Sequence, residues 1–173
     1  MKEMWDKKAA NYPRFTGEPS VFHRGLYAKI AEFGVKFEGK SVVDIGCGTG
    51  VHTLFLAQIC REITGMDISG EMLKVMIEDA AKFNISNLTA VQSDFKNFNP
   101  NCVYDVAFST MSPAIADEED FVKFINLGKK RVYLWWNKPR NSSVLELFYE
   151  GSQRGCFKEK ANFFEEYLRR ENI

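Results

Sequence analysis

The residues best placed to do chemistry lie in one stretch, Val42-Val43-Asp44-Ile45-Gly46-Cys47-Gly48-Thr49-Gly50, and in two acids that follow it, Asp67 and Asp94. Glycines at alternate positions permit positive φ and let a ligand approach the backbone with no Cβ in the way. A nicotinamide or flavin fingerprint reads Gly-x-Gly-x-x-Gly, and its last glycine falls on Val51 here. The turn therefore lacks the spacing that holds a pyrophosphate at a helix N-terminus. Asp67, 21 residues after Gly46, sits where a carboxylate accepts from both hydroxyls of a ribose. Asp94 is within reach of an adenine amino group, with Phe95 or Ile68 as an apolar wall for the ring. Together these residues describe a crevice for adenosine without phosphates.

Such residues converge only if the right elements carry them. Ser41 to Ile45 is a short β-branched run of the kind that fills a buried parallel strand. Leu54, Ala57 and Gln58 belong to a helix opening at the glycine turn, and Glu62 to Met66 forms a second strand ending at Asp67. Ser69 caps a helix over Gly70 to Phe83 with Met72, Val75, Met76 and Ala80 inward. Leu88 to Gln92 and Tyr104 to Phe108 read as the third and fourth strands, the latter ending at Ser109-Thr110. Asp117 caps a helix with Phe121, Phe124 and Ile125 inside and Gly128 at its end, and Lys130 to Trp136 is the fifth strand. Before all of these come a short helix near Met4 to Tyr12 and a second helix capped by Ser20 and ended by Gly34. The second helix has Phe22, Leu26, Ile30 and Phe33 on a stripe to be buried. Strands alternating with helices predict an α/β, doubly wound, mainly parallel sheet, whose ligand crevice lies beyond the carboxyl ends of the strands.

The totals exclude other classes. A chain of 173 residues and 19.9 kDa leaves little room for a second core, so a single domain is expected. Basic and acidic residues both number 23, so no global field draws the protein to nucleic acid or acidic lipid. The longest apolar run, Val132 to Trp136, is far short of the roughly 18 residues of a membrane span. The polar start, Met1 to Lys8, does not read as a secretion signal. The four cysteines, Cys47, Cys60, Cys102 and Cys156, are scattered as reduced thiols in a cytoplasm would be.

The glycine segment resembles motif I of the class I S-adenosylmethionine-dependent methyltransferases. Asp67-Ile68-Ser69-Gly70-Glu71-Met72-Leu73 resembles motif II, in a form frequent in the small-molecule branch. Ser93-Asp94-Phe95 resembles motif III and Tyr104 to Ser109 motif IV, so the likeness covers about residues 40 to 136. It implies a Rossmann-like methyltransferase fold and S-adenosylmethionine as cofactor. The methionine part would lie on the backbone of Gly46, Cys47 and Gly48 in a turn closed by Gly50, with Asp44 near its ammonium. Asp67 would hold the ribose, Ile68 the adenine face, Asp94 the adenine amine, and the backbone around Ser109 and Thr110 would border ligand and acceptor. The lead-in Trp5-Asp6-Lys7-Lys8-Ala9-Ala10-Asn11-Tyr12 resembles one that folds over the ligand, making 1–35 a helical lid in which Tyr12 and Phe15 touch ligand or acceptor. A surface helix pinned by its aromatics explains the same residues.

Methyl transfer is an in-line displacement at an activated carbon, so alignment is the main demand and no metal is required. If the acceptor carries a proton, a base helps; His52 is the candidate, against a reading as a structural histidine. Ser109 to Ala114 lacks the Asn/Asp-Pro-Pro-aromatic box of nucleobase methylases. The clusters Lys129-Lys130-Arg131 and Arg169-Arg170 read as a turn and a solvated helix face rather than as an RNA surface. Trp135 and Trp136 are core residues or an acceptor wall. A small-molecule methyltransferase leads, with a binding protein without turnover and a nicotinamide-dependent reductase as alternatives. The 37 residues after Trp136 have helical spacing, at Val144, Leu147, Phe148, Phe157, Ala161, Phe164 and Leu168. The family's C-terminal strand hairpin is therefore expected to be absent, through truncation, a natural short form, or a partner such as a second copy covering the fifth strand's edge.

Overall fold

A computed structural model describes residues 1–135 and 164–170 of the chain. The chain divides into two compact units, Met1–Tyr133 and Leu134–Ile173. Of the second, 164–170 is helical; residues 136–163, on which the expected helical spacing and absence of a hairpin fall, lie outside the described residues.

The elements run α1 (Lys2–Ala9), α2 (Val21–Glu32), β1 (Ser41–Ile45), α3 (Val51–Ala57), β2 (Glu62–Asp67), α4 (Gly70–Lys82), β3 (Leu88–Gln92), β4 (Tyr104–Thr110), α5 (Glu118–Leu127) and β5 (Gly128–Leu134). They form a five-stranded sheet in the order β3-β2-β1-β4-β5. β1 pairs in parallel with β2, bringing Ile45 beside Met66, and with β4, bringing Asp44 beside Phe108. β2 pairs in parallel with β3, with Asp67 beside Gln92. Chain order reverses on either side of β1, so a crevice opens where the loops after β1 and β4 part. All five residues of β1 are buried, as a central strand with both faces covered requires.

Two apolar clusters cover the sheet of the first unit. One joins Ile30, Val35 and Phe37 to Val42, Leu56, Ile63, Val106 and Phe108; the other joins Phe15, Leu54 and Phe55 to Leu73, Met76 and Ala80. The second corrects the reading of α4, where Leu73 is buried and Val75 only partly. The reading of α2 also changes. Phe22 and Phe33 are 66% and 76% exposed, and the inward face is Leu26 and Ile30 of the expected stripe together with His23 and Tyr27, because the helix packs on α3 and Phe37 with its polar aromatics inside.

Caps fall where expected. Ser20, Ser69 and Asp117 side chains accept from the amides of His23, Met72 and Asp120. α1 ends at Ala9 rather than Tyr12, since Pro13 forces extended backbone before it. β5 starts at Gly128, two residues early, because an extended Gly128 lies so close to β4 that a Cβ would meet the Ala107 amide nitrogen at 2.4 Å. No helix of the described residues is long and apolar enough to cross a membrane, and no group of three or more metal-ligating side chains lies together among them.

Candidate active site

A cavity of about 710 Å³ opens at the carboxyl ends of the strands, within the range of small-ligand sites. Its floor is the glycine turn. Gly46 and Cys47 amides both donate to the Met66 carbonyl, at 2.8 and 3.0 Å, which bends the chain out of β1 over the end of β2. The Gly48 amide donates to Asp67 Oδ2 at 2.9 Å, and the Ser69 amide to Asp67 Oδ1 at 2.8 Å. Asp67 is 8% exposed, and burial raises its carboxyl above the ordinary carboxylate range against these bonds. A carboxylate has about four lone-pair positions, so two backbone bonds leave acceptor capacity facing the cavity.

Asp44 is 2% exposed and lines the same cavity. Its Oδ2 accepts the Thr53 hydroxyl at 2.6 Å. Burial pushes its carboxyl up to about 7, the Thr53 bond opposes this, and the charge of Asp67 adds to it. A cation entering the cavity would favour the ionised form. Burial raises the Cys47 thiol well above its usual value, so Cys47 contributes backbone and an uncharged wall.

Ile68, Asp94, Phe95 and Tyr12 also line the cavity. Asp94 is exposed and ordered by Asn97, whose amide and side chain both donate to it, which holds its pKa below the ordinary value. Phe95 is 3% exposed beneath Lys123, whose ammonium lies 5.2 Å from the ring centroid and donates to the Phe95 and Lys96 carbonyls.

Three residues named from the sequence are not among those lining the cavity. The Ser109 side chain is fully buried, donating to the Ile45 carbonyl at 3.0 Å, while Thr110, expected beside it, lines the cavity with Met111 and Ser112. Gly50 caps α3 with φ +79 and sits against Met76, away from the cavity, since a strand-to-helix turn needs left-handed backbone there. Phe15 is wedged between Phe55 and Phe83 at centroid distances of 4.7 and 4.8 Å and is a core residue. Trp135 follows the end of β5.

His52 lines the cavity with its Nδ1 2.9 Å from the Tyr27 hydroxyl, and His23 meets it edge to face at 4.9 Å. Burial, with repulsion from His23, lowers His52 to about 4, so the ring is neutral at ordinary pH. Sequence reasoning missed Tyr27, Thr53 and Asp120, a cavity-lining acid that is 3% exposed and accepts the Ala116 amide. Only the fold reveals Tyr27, Thr53 and Asp120, whose carboxyl reaches back to the amide of Ala116, the residue before the cap Asp117.

A methyltransferase domain family model matches residues 36–166. An uncharacterized protein of Haemophilus influenzae is 30% identical over 133 residues, covering 75% of this chain and 48% of that one. Pavine N-methyltransferase of Thalictrum flavum subsp. glaucum is 30% identical over 94 residues, 53% of this chain and 26% of that enzyme. An uncharacterized RNA methyltransferase of Chlorobaculum tepidum is 34% identical over 74 residues, 43% of this chain and 15% of that one. The chain thus spans about half or less of the length of these relatives. Among solved structures, a SAM-dependent methyltransferase from Aquifex aeolicus shares the fold with a TM-score of 0.56 and 20% identity, over 68% of this chain and 67% of that one. With three quarters of its length matched by the family model, the chain belongs to the methyltransferase domain family.

Proposed function

We propose that this protein transfers the methyl group of S-adenosylmethionine to a small-molecule acceptor. The observation that carries the reading is that Asp44, Asp67 and the Gly46 to Gly48 backbone share the wall of one cavity. Bound there, the cofactor supplies an electrophilic methyl on a sulfonium, open to in-line displacement. The Gly46 to Gly48 backbone carries the methionine part, Asp44 faces its ammonium, and Asp67 accepts from the ribose hydroxyls. Ile68 and Phe95 would wall the adenine, Asp94 would accept from its amine, and Tyr12 would close the cavity from the N-terminal lid. His52 lines the cavity as a neutral ring whose basicity burial has lowered, so in-line alignment of the acceptor would carry the reaction more than proton removal.

Two features favour a small acceptor over RNA. Lys129 pairs with Asp105 at 2.8 Å and Arg131 donates to the Ile125 carbonyl, so two of the cluster's three cations serve the fold. The cavity wall carries four carboxyl groups, Asp44, Asp67, Asp94 and Asp120, and one lysine, Lys96, a lining with few cations to hold a polyanion. A cytoplasmic location and a homodimer across the β5 edge belong to the same proposal, and sedimentation of the full chain tests the dimer.

Calorimetry with S-adenosylhomocysteine and NAD, followed by incubation of the protein with methyl-labelled cofactor and a cell extract, tests the function. S-adenosylhomocysteine binding and a labelled small product are expected. NAD binding without any response to S-adenosylhomocysteine would replace this reading by a reductase, and labelled RNA would replace the acceptor class.

A further inference from the structure

We propose that Asp6 and Ser69 form a latch that ties the N-terminal lid helix α1 to Asp67; the inference rests on the cofactor reading above. Asp6 Oδ1 accepts the Ser69 hydroxyl at 2.6 Å and the Glu71 amide at 3.5 Å. The amide of the same serine donates to Asp67 Oδ1 at 2.8 Å, and the other oxygen of Asp67 takes the Gly48 amide. A continuous chain of hydrogen bonds therefore runs from the lid helix through one serine to the acid and the glycine turn. Met1 and Trp5 of α1 line the cavity, as does Tyr12 beyond it, and Trp5 meets Tyr12 edge to face at 6.1 Å.

The two ends of this segment are held very differently. At the far end, Arg14 grips buried Asp79 at 2.6 to 3.2 Å, Phe15 sits in the core, and the Thr49 hydroxyl donates to the Pro13 carbonyl. In α1 only Ala9 is buried, and Asp6 carries the polar contacts to the N-terminus of α4, with an exposed Lys2 pair at its back. An element with little buried area opens before its anchored neighbours do. Residues 10–12, between Ala9 and the anchor, are where the backbone turns. Opening there breaks the Asp6–Ser69 bond and leaves Arg14 and Phe15 in place, so Trp5 swings off the cavity without unfolding the core. Asp6 is a positioning residue: it governs how long the cofactor stays and takes no part in methyl transfer.

Stopped-flow release of S-adenosylhomocysteine from the full chain tests this. Asp6→Ala is expected to release it about tenfold faster, the factor equivalent to about 1.4 kcal/mol. Association and the melting temperature of the ligand-free protein should hardly change. Asp6→Asn keeps an acceptor oxygen for Ser69 and should stay within about twofold of wild type, as should Lys2→Ala, because an exposed ion pair contributes little. Ser69→Ala and the Asp6→Ala/Ser69→Ala double variant should release at the same rate, since both break one chain. Wild-type release rates in Asp6→Ala, or Asp6→Asn as fast as Asp6→Ala, would overturn the latch alone. A wild-type protein that binds no S-adenosylhomocysteine would overturn the cofactor reading and the latch with it.

Discussion

The Gly48 amide donates to the Asp67 carboxylate at 2.9 Å, so the turn after β1 and the acid closing β2 form one unit. Asp67→Ala removes this bond and the one from Ser69 along with any ribose contact. The dissociation constant for S-adenosylhomocysteine is expected to rise by a factor worth about 1.5 to 3 kcal/mol, the range for hydrogen bonds to a charged group. An unchanged constant by calorimetry would remove Asp67 from the site.

The loop after β4 is seated against the same turn. A Cβ on Gly46 would lie 1.7 Å from Ser112 Oγ, and Gly46 has φ +71. Gly46→Ala should therefore cost about 1 to 3 kcal/mol in backbone strain alone, and more from the clash. Adding Ser112→Gly should recover the steric part only. Urea midpoints measure both, and complete recovery in the double variant would show that the left-handed backbone is unstrained by a side chain.

How far such features were legible depends on whether they are local in sequence. β1 and β3 were bounded correctly, and the caps Ser20, Ser69 and Asp117 were found, because strand composition and capping are written within a few residues. Asp44, Asp67 and Asp94 were found through motif order, and the structure brings them to one cavity. What failed depended on orientation. Ser109 and Thr110 are neighbours on a strand, so alternation sends one inward to Ile45 and the other to the cavity, and spacing alone does not say which. In α2 both faces carry aromatics, and hydrophobicity favoured Phe22 and Phe33 over His23 and Tyr27, whose polar tips find partners in Ser20 and His52.

That last correction is directly measurable. Phe22→Ser and Phe33→Ser, on the exposed face, should change unfolding free energy by no more than about 0.5 kcal/mol. Ile30→Ala, 7% exposed in the core, should cost about 2 to 5 kcal/mol. A large loss at Phe33 would restore the original stripe.

Asp44 and His52 make opposite contributions to stability against pH. Asp44 is raised from 3.8 to about 7, chiefly by burial. The folded chain thus holds this proton more tightly than the unfolded chain, and the stability it confers is full below about 3.8 and lost as pH rises toward 7. His52 is lowered from 6.5 to about 4, so stability is lost as pH falls through that interval. Between about 4 and 6.5 the two oppose each other in the ligand-free protein. Asp44→Asn should therefore gain on wild type as pH rises, and His52→Gln should lose on it. Each slope is at most about 1.4 kcal/mol per pH unit, the limit for one proton. Denaturation series at pH 4.5, 5.5 and 6.5 resolve the two signs. A difference profile for Asp44→Asn that is flat or falls with pH would mean that Asp44 is ionised throughout and that the cavity holds a fixed negative charge before any cation enters.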